Sequence, residues 1–420
     1  MLLLASSANA RIWTVKKAGG DFDSISTALN MAASGDAIQV EAAVFPENIY
    51  IRKTITLEGG YDASTWGKTG KTTISPHPFE ILETQNAVVD SFIIGQLNIR
   101  SSEALEIKNC ALNSAGFTVM HSENVRIHNN TVSNTGSTGL IAQGCDYLYF
   151  YNNTISGNQC GASVTASNTI EVYNNIFSDN SINGLYINTC ENFYFHNNQV
   201  TDNGKSSPMA GYGFEIRRTS GILARNTITG NNWCGLEIWD TPVPSLGNLE
   251  SGDPRDVGEN KIFSNGRNIF WGNNILYGAP VNLKAQNNDW GTTDILEIDR
   301  GIYDDEENPA YNGKVEFLPL YQRRQIAPGN IRGGPNPFNP ENQTFYITFE
   351  LLSAKSVTCY IFDIVGNLCW RRNHSGNVGS NSIAWNGKSD FGNIAANGLY
   401  VYKLAVDGKV LGDGKIIVLR

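Results

Sequence analysis

Two glutamates and an arginine stand at equivalent places in this 420-residue chain. Glu215 and Glu237 each follow a glycine by two residues, in Gly-Phe-Glu-Ile-Arg and Gly-Leu-Glu-Ile-Trp, and Arg217 follows Glu215 by two. Two carboxylates beside one guanidinium can divide the work of a general acid and a base, or bind one cation. We therefore take Glu215, Arg217 and Glu237 as the candidate catalytic residues.

These residues lie in a repeated unit, which predicts how they are positioned. Asparagines recur in steps of 23, 22, 23 and 28 residues, at Asn130, Asn153, Asn175, Asn198 and Asn226. Glycines recur with them at Gly139, Gly161, Gly184, Gly213 and Gly235, and both markers lengthen together where 205–212 is inserted. A unit of about 22 residues with short apolar alternations is typical of a β-solenoid, in which each unit is one coil. A leucine-rich repeat is rejected because its Leu-x-x-Leu-x-Leu spine is missing.

The alternation of side chains along a strand predicts which residues face outward. One outward column is Ile141, Ser163, Tyr186, Glu215 and Glu237, and the next is Gln143, Thr165, Asn188, Arg217 and Trp239. Neighbouring coils are about 4.8 Å apart, so the two glutamates can approach each other. Tyr186, Trp239 and Asp240 then become candidate substrate-binding residues, and we expect the insertion 241–258 to form a wall beside them. A solvent-exposed ion-pair ladder centred on Arg217 is the competing interpretation.

A second strand of each coil carries outward aromatic residues. Its outward positions are Arg126, Tyr149, Glu171 and Tyr194, then His128, Tyr151, Tyr173, His196 and Arg225. Flat rings with polar tips suit stacking on sugars, which makes Tyr149, Tyr151, Tyr173 and Tyr194 candidate substrate-binding residues. The alternative is that these tyrosines are ordinary strand residues that pack within the protein. His128 and His196 are three coils apart, too far for one metal ion.

The asparagines and cysteines of the repeat are predicted to be structural. Asparagine tolerates the left-handed backbone of a tight turn, and its amide can bond the asparagine one coil away. Seven cysteines are present. Cys145 and Cys190 share a slot two coils apart, about 10 Å at this spacing and beyond disulfide reach, so we expect small core residues.

Composition limits the possible classes of protein. The net charge is −9 and no basic cluster is present, which argues against nucleic-acid binding. No apolar run reaches the roughly 18 to 20 residues of a transmembrane helix. Residues 1–10 resemble the end of a signal peptide, with Ala8-Asn9-Ala10 as its cleavage site, so we expect export.

Residues 335–420 are predicted to form a second domain. A linker rich in Gly and Pro spans 326–334, and beyond it apolar residues alternate with a period of two. We expect strands at 345–351, 357–363, 383–385, 399–406 and 415–419, which indicate a β-sandwich. Cys359 and Cys369 would lie on neighbouring strands of this domain.

The repeats resemble the β-helices of the right-handed, pectin-lyase-like superfamily. Gly20-Asp21-Phe22-Asp23-Ser24-Ile25 and the segments after it resemble that superfamily's capping helix and first coil. Asn287-Asn288-Asp289-Trp290-Gly291-Thr292 resembles the closing coil of many such bacterial proteins. The resemblance implies an all-β fold, with a right-handed parallel β-helix over residues 11–325 and a short N-terminal capping helix.

The second domain resembles the FlgD-like immunoglobulin modules that end many bacterial surface proteins. The resemblance is carried in order by Asn336-Pro337-Phe338-Asn339-Pro340, 361–367, 385–392 and 397–404. Such modules serve as type IX secretion sorting domains. The resemblance therefore implies a small Ig-like sandwich in a protein that is secreted or held at the outer cell surface by secretion and anchoring machinery.

Two classes of function remain open. Many pectin-lyase-like proteins are pectate lyases, pectinesterases or polygalacturonases, so the resemblance implies a polysaccharide lyase or glycoside hydrolase. The chain lacks a polygalacturonase-like pair of aspartates. Residues 89–95 are only weakly similar to the pectinesterase motif Asp-Phe-Ile-Phe-Gly. In a calcium-dependent lyase, Glu215, Glu237 and Asp240 would bind Ca²⁺ around Arg217. The second class is a non-catalytic adhesin or structural protein of the cell surface.

Overall fold

The computed structural model describes residues 10–74, 76–204, 211–266, 274–321, 331–351, 354–406 and 409–420. Most of the signal-peptide remnant, of the insertion 205–212 and of the linker 326–334 lies outside these residues. The chain divides into two compact units, Met1–Tyr321 and Gln322–Arg420. No helix in the described ranges is long and apolar enough to cross a membrane.

The first unit is a stack of coils with three parallel sheets, named here sheets A, B and C. The strands of sheet A are Ile12–Val15, Ala37–Glu41, Thr56–Tyr61, Val88–Asp90, Glu106–Lys108, Glu123–His128, Asp146–Tyr151, Asn168–Tyr173, Phe193–His196 and Gly221–Ala224. Those of sheet B are Thr72–Thr73, Phe92–Ile94, Ala111–Leu112, Thr131–Ser133, Thr154–Ser156, Ile176–Ser178, Gln199–Thr201, Thr227–Thr229 and Lys261–Phe263.

Sheet C carries Glu215 and Glu237, and its last strand lies later in the chain than those of sheets A and B. Its strands are Ile49–Ile51, Phe79–Leu82, Leu97–Arg100, Phe117–Met120, Thr138–Gln143, Cys160–Thr165, Asn183–Asn188, Tyr212–Arg217, Cys234–Trp239, Ile275–Tyr277 and Ile302–Tyr303. A small parallel pair, Leu283–Lys284 and Val315–Glu316, completes the stack. The unit is therefore a parallel β-helix.

Two short helices lie near the ends of this unit. The first, Ile25–Met31, is capped by Ser24 and buries Ile25, Ala28 and Leu29 in the same core as the coils. The second, Ile295–Arg300, is capped by Asp294. A helix near the N-terminus is therefore present where the sequence predicts one.

The interior follows the predicted alternation of side chains. Leu148 and Phe150, and the equivalent pairs in the next two coils, are at most 2% exposed. Burying such apolar side chains is the main stabilising contribution in a solenoid, because a single coil has no core of its own.

The predicted asparagine ladder is confirmed. The Oδ1 atoms of Asn153, Asn175 and Asn198 each accept the backbone N–H of the ladder asparagine one coil earlier, at 2.8–2.9 Å. The ladder runs on through Asn226, Asn260 and Asn288. The left-handed backbone belongs to the preceding residue instead, at Asn129, Asn152, Asn174 and Asn197. In each Asn-Asn pair, one residue makes the turn and the other bonds the next coil.

A second asparagine ladder, which the sequence analysis missed, lines another corner. It comprises Asn158, Asn180, Asn203, Asn231, Asn265 and Asn274, joined by backbone N–H to Oδ1 bonds of 3.1–3.3 Å. Most of these side chains are buried, so the ladder satisfies backbone groups that water cannot reach.

The recurring glycines mark a close approach between coils. A Cβ atom added at Gly161 would lie 2.3 Å from the carbonyl oxygen of Gly184, and one added at Gly184 would lie 2.7 Å from that of Gly213. Only glycine fits against the next coil here without a backbone shift.

The cysteines are free thiols, and those of the coils are largely buried. Cys145 and Cys190 are at most 1% exposed, as expected of small core residues. In the second unit Cys359 pairs across the strands with Arg372 and Ile361 with Trp370, so Cys359 and Cys369 do not oppose each other.

The second unit consists of two antiparallel sheets that share one core. One contains Arg332–Gly334, Phe345–Leu351 and Gly379–Trp385, and the other Leu368–Gly376, Lys355–Asp363, Gly398–Val406 and Lys409–Val418. Residues 332–334 were assigned to the linker, but they pair with Thr348, Ile347 and Tyr346 as a strand. Cys369 lies on the strand Leu368–Gly376, next to the strand of Cys359 as expected, but the bounds of this strand were not predicted because its side chains are mostly exposed and lack the apolar alternation.

Candidate functional site

The outer face of sheet C brings the three candidate catalytic residues together. Strand pairing places Glu215 opposite Glu237 and Arg217 opposite Trp239, and Tyr186 lies one coil earlier, opposite Glu215. Both predicted outward columns are therefore correct in register.

Arg217 bonds both glutamates. Its Nε donates to Glu215 Oε1 at 3.0 Å, and its Nη2 donates to Glu237 Oε2 at 3.3 Å. Asn183 Nδ2 donates to the other oxygen of Glu215 at 2.9 Å. Glu215 is thus held on both oxygens by donors, which is the environment that an ionised carboxylate prefers.

Glu237 has a different environment. The residue is 6% exposed, and burial raises the pKa of its carboxyl above the usual range. The neighbouring charge of Glu215 raises this pKa further, while Trp239, Arg217 and Tyr212 act to lower it. The two carboxylates are therefore inequivalent, and the competing interpretation of a ladder with both side chains in solvent is wrong for Glu237.

Tyr212 and Asn183 are functional candidates that the sequence analysis missed. Burial and then the charge of Glu237 raise the pKa of Tyr212, which keeps its phenol protonated beside the carboxyl. Both residues begin strands of sheet C, one slot before the recurring glycine. The residues that directly precede the recurring glycines form a third column, and this column contains both Asn183 and Tyr212.

Two buried polar atoms at this site have no hydrogen-bond partner among the described residues. They are the indole Nε1 of Trp239, a donor, and the amide Oδ1 of Asn183, an acceptor. The Trp239 N–H is close enough to Glu237 to lower its pKa without forming a hydrogen bond. Unpaired buried polar atoms cost about 1–3 kcal/mol each, so they are uncommon without a ligand or water to satisfy them.

The remaining predicted residues of this face differ in their surroundings. Trp239 packs edge-on against Tyr311, with ring centroids 5.1 Å apart, and lies against Gly278, where a Cβ would meet the ring at 2.2 Å. Tyr186 is half-buried, and no other aromatic ring contacts it within the described ranges. Asp240 lies in the following turn, exposed and paired with Arg218 at 3.3 Å. In the part of the chain that the structure describes, no hydrogen bond or ion pair joins Asp240 to either glutamate.

The insertion 241–258 does not form a wall at this site. Ser245 pairs with Ile222 and therefore continues sheet A, and the guanidinium of Arg255 lies 5.4 Å from the ring centroid of Tyr194. The expectation of a wall beside Glu237 is wrong because the chain crosses to sheet A directly after the turn at Asp240.

The aromatic residues of sheet A form a stacked column. The rings of His128, Tyr151, Tyr173 and His196 are nearly parallel, with centroids 4.6, 4.8 and 5.1 Å apart. The histidines at its ends bond glutamates: His128 Nε2 lies 3.0 Å from Glu106, and His196 Nε2 lies 3.1 Å from Glu171. Ala224, and not Arg225, takes the next place, so the predicted position of Arg225 was wrong by one residue.

This stacking corrects the expected sugar-binding surface. The ring faces of Tyr151 and Tyr173 are covered by their neighbours, and Tyr194 stacks on His196 and lies under Arg255. Tyr149 has Arg126 against one face. Stacking on a sugar requires a free ring face, which the column does not leave on Tyr151 or Tyr173, whereas only one face of Tyr149 is covered.

Metal binding finds no support in these side chains. Within the described residues, no group of three or more His, Cys, Asp or Glu could hold an ion. The ionisable groups around Glu215 and Glu237 include the guanidinium of Arg217 and the phenol of Tyr212.

Comparisons with known proteins bear on the fold. No curated protein sequence matches the chain. Among solved structures, it is similar to the periplasmic alginate epimerase AlgG, with a TM-score of 0.37, 11% identity and coverage of 68% of this chain and 75% of that chain. It is also similar to the Azotobacter vinelandii mannuronan C-5 epimerase AlgE6 A-module, with a TM-score of 0.33, 14% identity and coverage of 71% and 93%.

A third similar structure is PfbA, a surface adhesin of Streptococcus pneumoniae, with a TM-score of 0.36, 11% identity and coverage of 77% and 94%. TM-scores this low carry no argument about this chain. The family model "Right handed beta helix region" matches residues 95–248. Together with the stacked parallel sheets, this match shows that the chain contains a right-handed β-helix region.

Proposed function

We propose that the outer face of sheet C binds a polysaccharide and hydrolyses its glycosidic bonds. The observation that carries this proposal is the inequivalence of two adjacent carboxylates. Glu237 is nearly buried and its pKa is raised, whereas Glu215 accepts hydrogen bonds on both oxygens. Two carboxyls in environments that separate their proton affinities are the usual basis for an acid and a base in glycoside hydrolysis.

Each residue then has a distinct role. Glu237 keeps its proton and donates it to the oxygen of the departing sugar. Glu215 acts as the carboxylate that attacks the sugar or activates water, and Asn183 orients it. Arg217 is a positioning residue, because it holds both carboxyls on one guanidinium.

A neutral glycan fits this site better than a uronate. A lyase must neutralise the acid group of its substrate with a cation or a free basic residue. Arg217 is already bonded to both glutamates, and no metal site lies among the described residues. The geometry therefore favours hydrolysis over calcium-dependent elimination.

Sugar contacts are available on both sides of the carboxylates. Sugar hydroxyls both donate and accept, which is the chemistry that the unsatisfied Trp239 N–H and Asn183 amide oxygen lack. Tyr186 offers an aromatic ring one coil away.

Glycan binding without cleavage is the second candidate function. This function is favoured because Arg217 forms ion pairs with both Glu215 and Glu237, as in a purely structural network. In that case the protein is a surface adhesin, and the same face binds glycan without turning it over.

A panel of neutral and uronate-containing polysaccharides, assayed for binding and for released reducing ends, tests these proposals. We expect binding and turnover of a neutral polymer, and a Tyr186→Leu variant that binds it about tenfold more weakly. The matched control is Tyr173→Leu, which breaks the sheet A column and should lower stability without weakening glycan binding. Binding without new reducing ends would support the adhesin. Unsaturated products would show a lyase and contradict the assignment of Glu237 as an acid.

We further propose that the protein is exported and that residues 335–420 are a FlgD-like sorting module of the type IX pathway. The support is the resemblance of its four sequence segments and the separate core of the second unit. A chain truncated after Tyr321 is expected to fold but not to reach the outer cell surface. Normal appearance of the truncated chain at the surface would exclude the sorting role.

A further inference from the structure

The two units carry opposite charge. Residues 322–420 contain 11 Lys and Arg against 6 Asp and Glu, whereas the preceding residues contain 20 against 34. The second unit is thus basic in an acidic protein. A charge asymmetry of this kind points to a partner that only one unit binds.

The second unit also exposes apolar side chains at the tips of two turns. Val365 is 82% exposed and Ile364 is 73% exposed in the turn between Lys355–Asp363 and Leu368–Gly376. Phe391 is 90% exposed in the turn that Ser389 and Gly392 close. Turns usually carry polar residues, so three such side chains require an explanation.

These two turns lie next to each other. The backbone N–H of Asp390 donates to the carbonyl of Cys369 at 3.0 Å, and the N–H of Arg371 donates to Asp390 Oδ2 at 3.1 Å. The start of the strand Leu368–Gly376 is therefore bonded to the turn that bears Phe391. Ile364, Val365, Leu368 and Phe391 therefore lie at the same end of this strand, and the four residues are named here the apolar tip.

Unpaired basic residues adjoin the apolar tip. Arg371, Arg372 and Lys388 are exposed, and none has a carboxylate partner within salt-bridge distance among the described residues. Arg371 and Arg372 follow Leu368 on the same strand, and Lys388 precedes Phe391 in the same loop. Apolar side chains beside unpaired cations complement a surface that is apolar inside and anionic outside.

We infer that the apolar tip docks the second unit on an anionic lipid surface. Ile364, Val365 and Phe391 enter the interface between headgroups and acyl chains, while Lys388 and the two arginines, Arg371 and Arg372 on opposite faces of their strand, contact phosphate groups on either side of the tip. These side chains project from tight turns, so they can enter a soft bilayer without needing a matching pocket. This inference does not depend on the glycan site.

Co-sedimentation of the full chain with vesicles tests the inference. We expect binding to phosphatidylcholine vesicles that contain about 30% phosphatidylglycerol, and at least tenfold weaker binding to phosphatidylcholine alone. Added salt should weaken binding, because it screens the arginines. Phe391→Ser should reduce binding by about tenfold or more, from the loss of buried apolar area.

Val378→Ser is the matched control. Val378 is 69% exposed, and it follows the opposite end of the strand Leu368–Gly376. It should bind vesicles as the parent does. A combined Arg371→Gln and Arg372→Gln variant should lose most of the salt dependence. Equal binding to both vesicle types, equal effects of the Phe391 and Val378 substitutions, or self-association through the tip without vesicle binding would overturn the inference.

Discussion

Glu237→Gln is expected to reduce hydrolysis of a glycan substrate by about 10²–10⁴-fold, the usual contribution of a general acid. The amide keeps the size of the side chain and can still contact Arg217, so folding and glycan affinity should be largely retained. Initial rates and binding constants measured on the same polymer would separate the two effects.

The pH profile gives a second readout of the same substitution. Burial raises the pKa of Glu237, so its proton persists to higher pH than in an exposed glutamate, and the parent rate should fall as pH rises through that pKa. This limb should be missing from the residual activity of Glu237→Gln. The neutral form is favoured in the fold, so the stability that this carboxyl contributes is full below its ordinary pKa and is lost as pH rises through the raised value.

Two further variants make the result interpretable. Glu215→Gln should also abolish turnover, but by removing the attacking or water-activating carboxylate. Glu259→Gln, which breaks an ion pair with Arg225 on the turns of sheet A, should leave activity unchanged. Full activity in both Glu215→Gln and Glu237→Gln, with folding intact, would remove this site and leave glycan binding alone.

Asn175→Ala is expected to lower the free energy of unfolding by about 3–5 kcal/mol. The Oδ1 atom of Asn175 accepts from the backbone and side chain of Asn153, and its Nδ2 atom donates to carbonyls of Phe150 and Tyr173. Alanine would leave these buried groups unpaired.

Urea unfolding followed by circular dichroism measures this effect. Asn188→Ala is the control, because its side chain lies on the outer face of sheet C and, among the residues that the structure describes, accepts only from Thr189. It should change stability by no more than about 0.5 kcal/mol. Comparable stability of Asn175→Ala and the parent would mean that water replaces the ladder at little cost.

The pairing of strands in neighbouring coils was predictable because the length of the repeated unit fixes it in every coil. Two markers per coil, an asparagine and a glycine, were enough to place Glu215 opposite Glu237. The prediction failed at Arg225, where Arg-Asn replaces the Asn-Asn pair. Arg225 itself occupies the left-handed turn position, so the outward residue opposite His196 is Ala224, one residue earlier than predicted. The second ladder was missed because its first five asparagines follow Gly157, Asp179, Asp202, Gly230 and Ser264, and only the last, Asn274, follows another asparagine.

The chemistry of the site was less predictable, because it depends on what covers each side chain. Sequence placed Glu237 on the outer face, yet Tyr212, Arg217 and Trp239 bury it there, and that burial makes it an acid candidate. The same limit applies to the tyrosines of sheet A. Their outward direction followed from alternation, but the angle of each ring, which covers its faces, depends on packing between coils.

The asparagine ladder also makes the coil an exchangeable module in evolution. Each rung offers the same donor and acceptor to the next, so removing residues 153–174 as one block would bring Asn130 against Asn175 with the same bonds. Gene segments of this length can thus be duplicated or lost without a new interface. The number of coils then sets the length of the outer faces, and with it the length of polymer that they can bind.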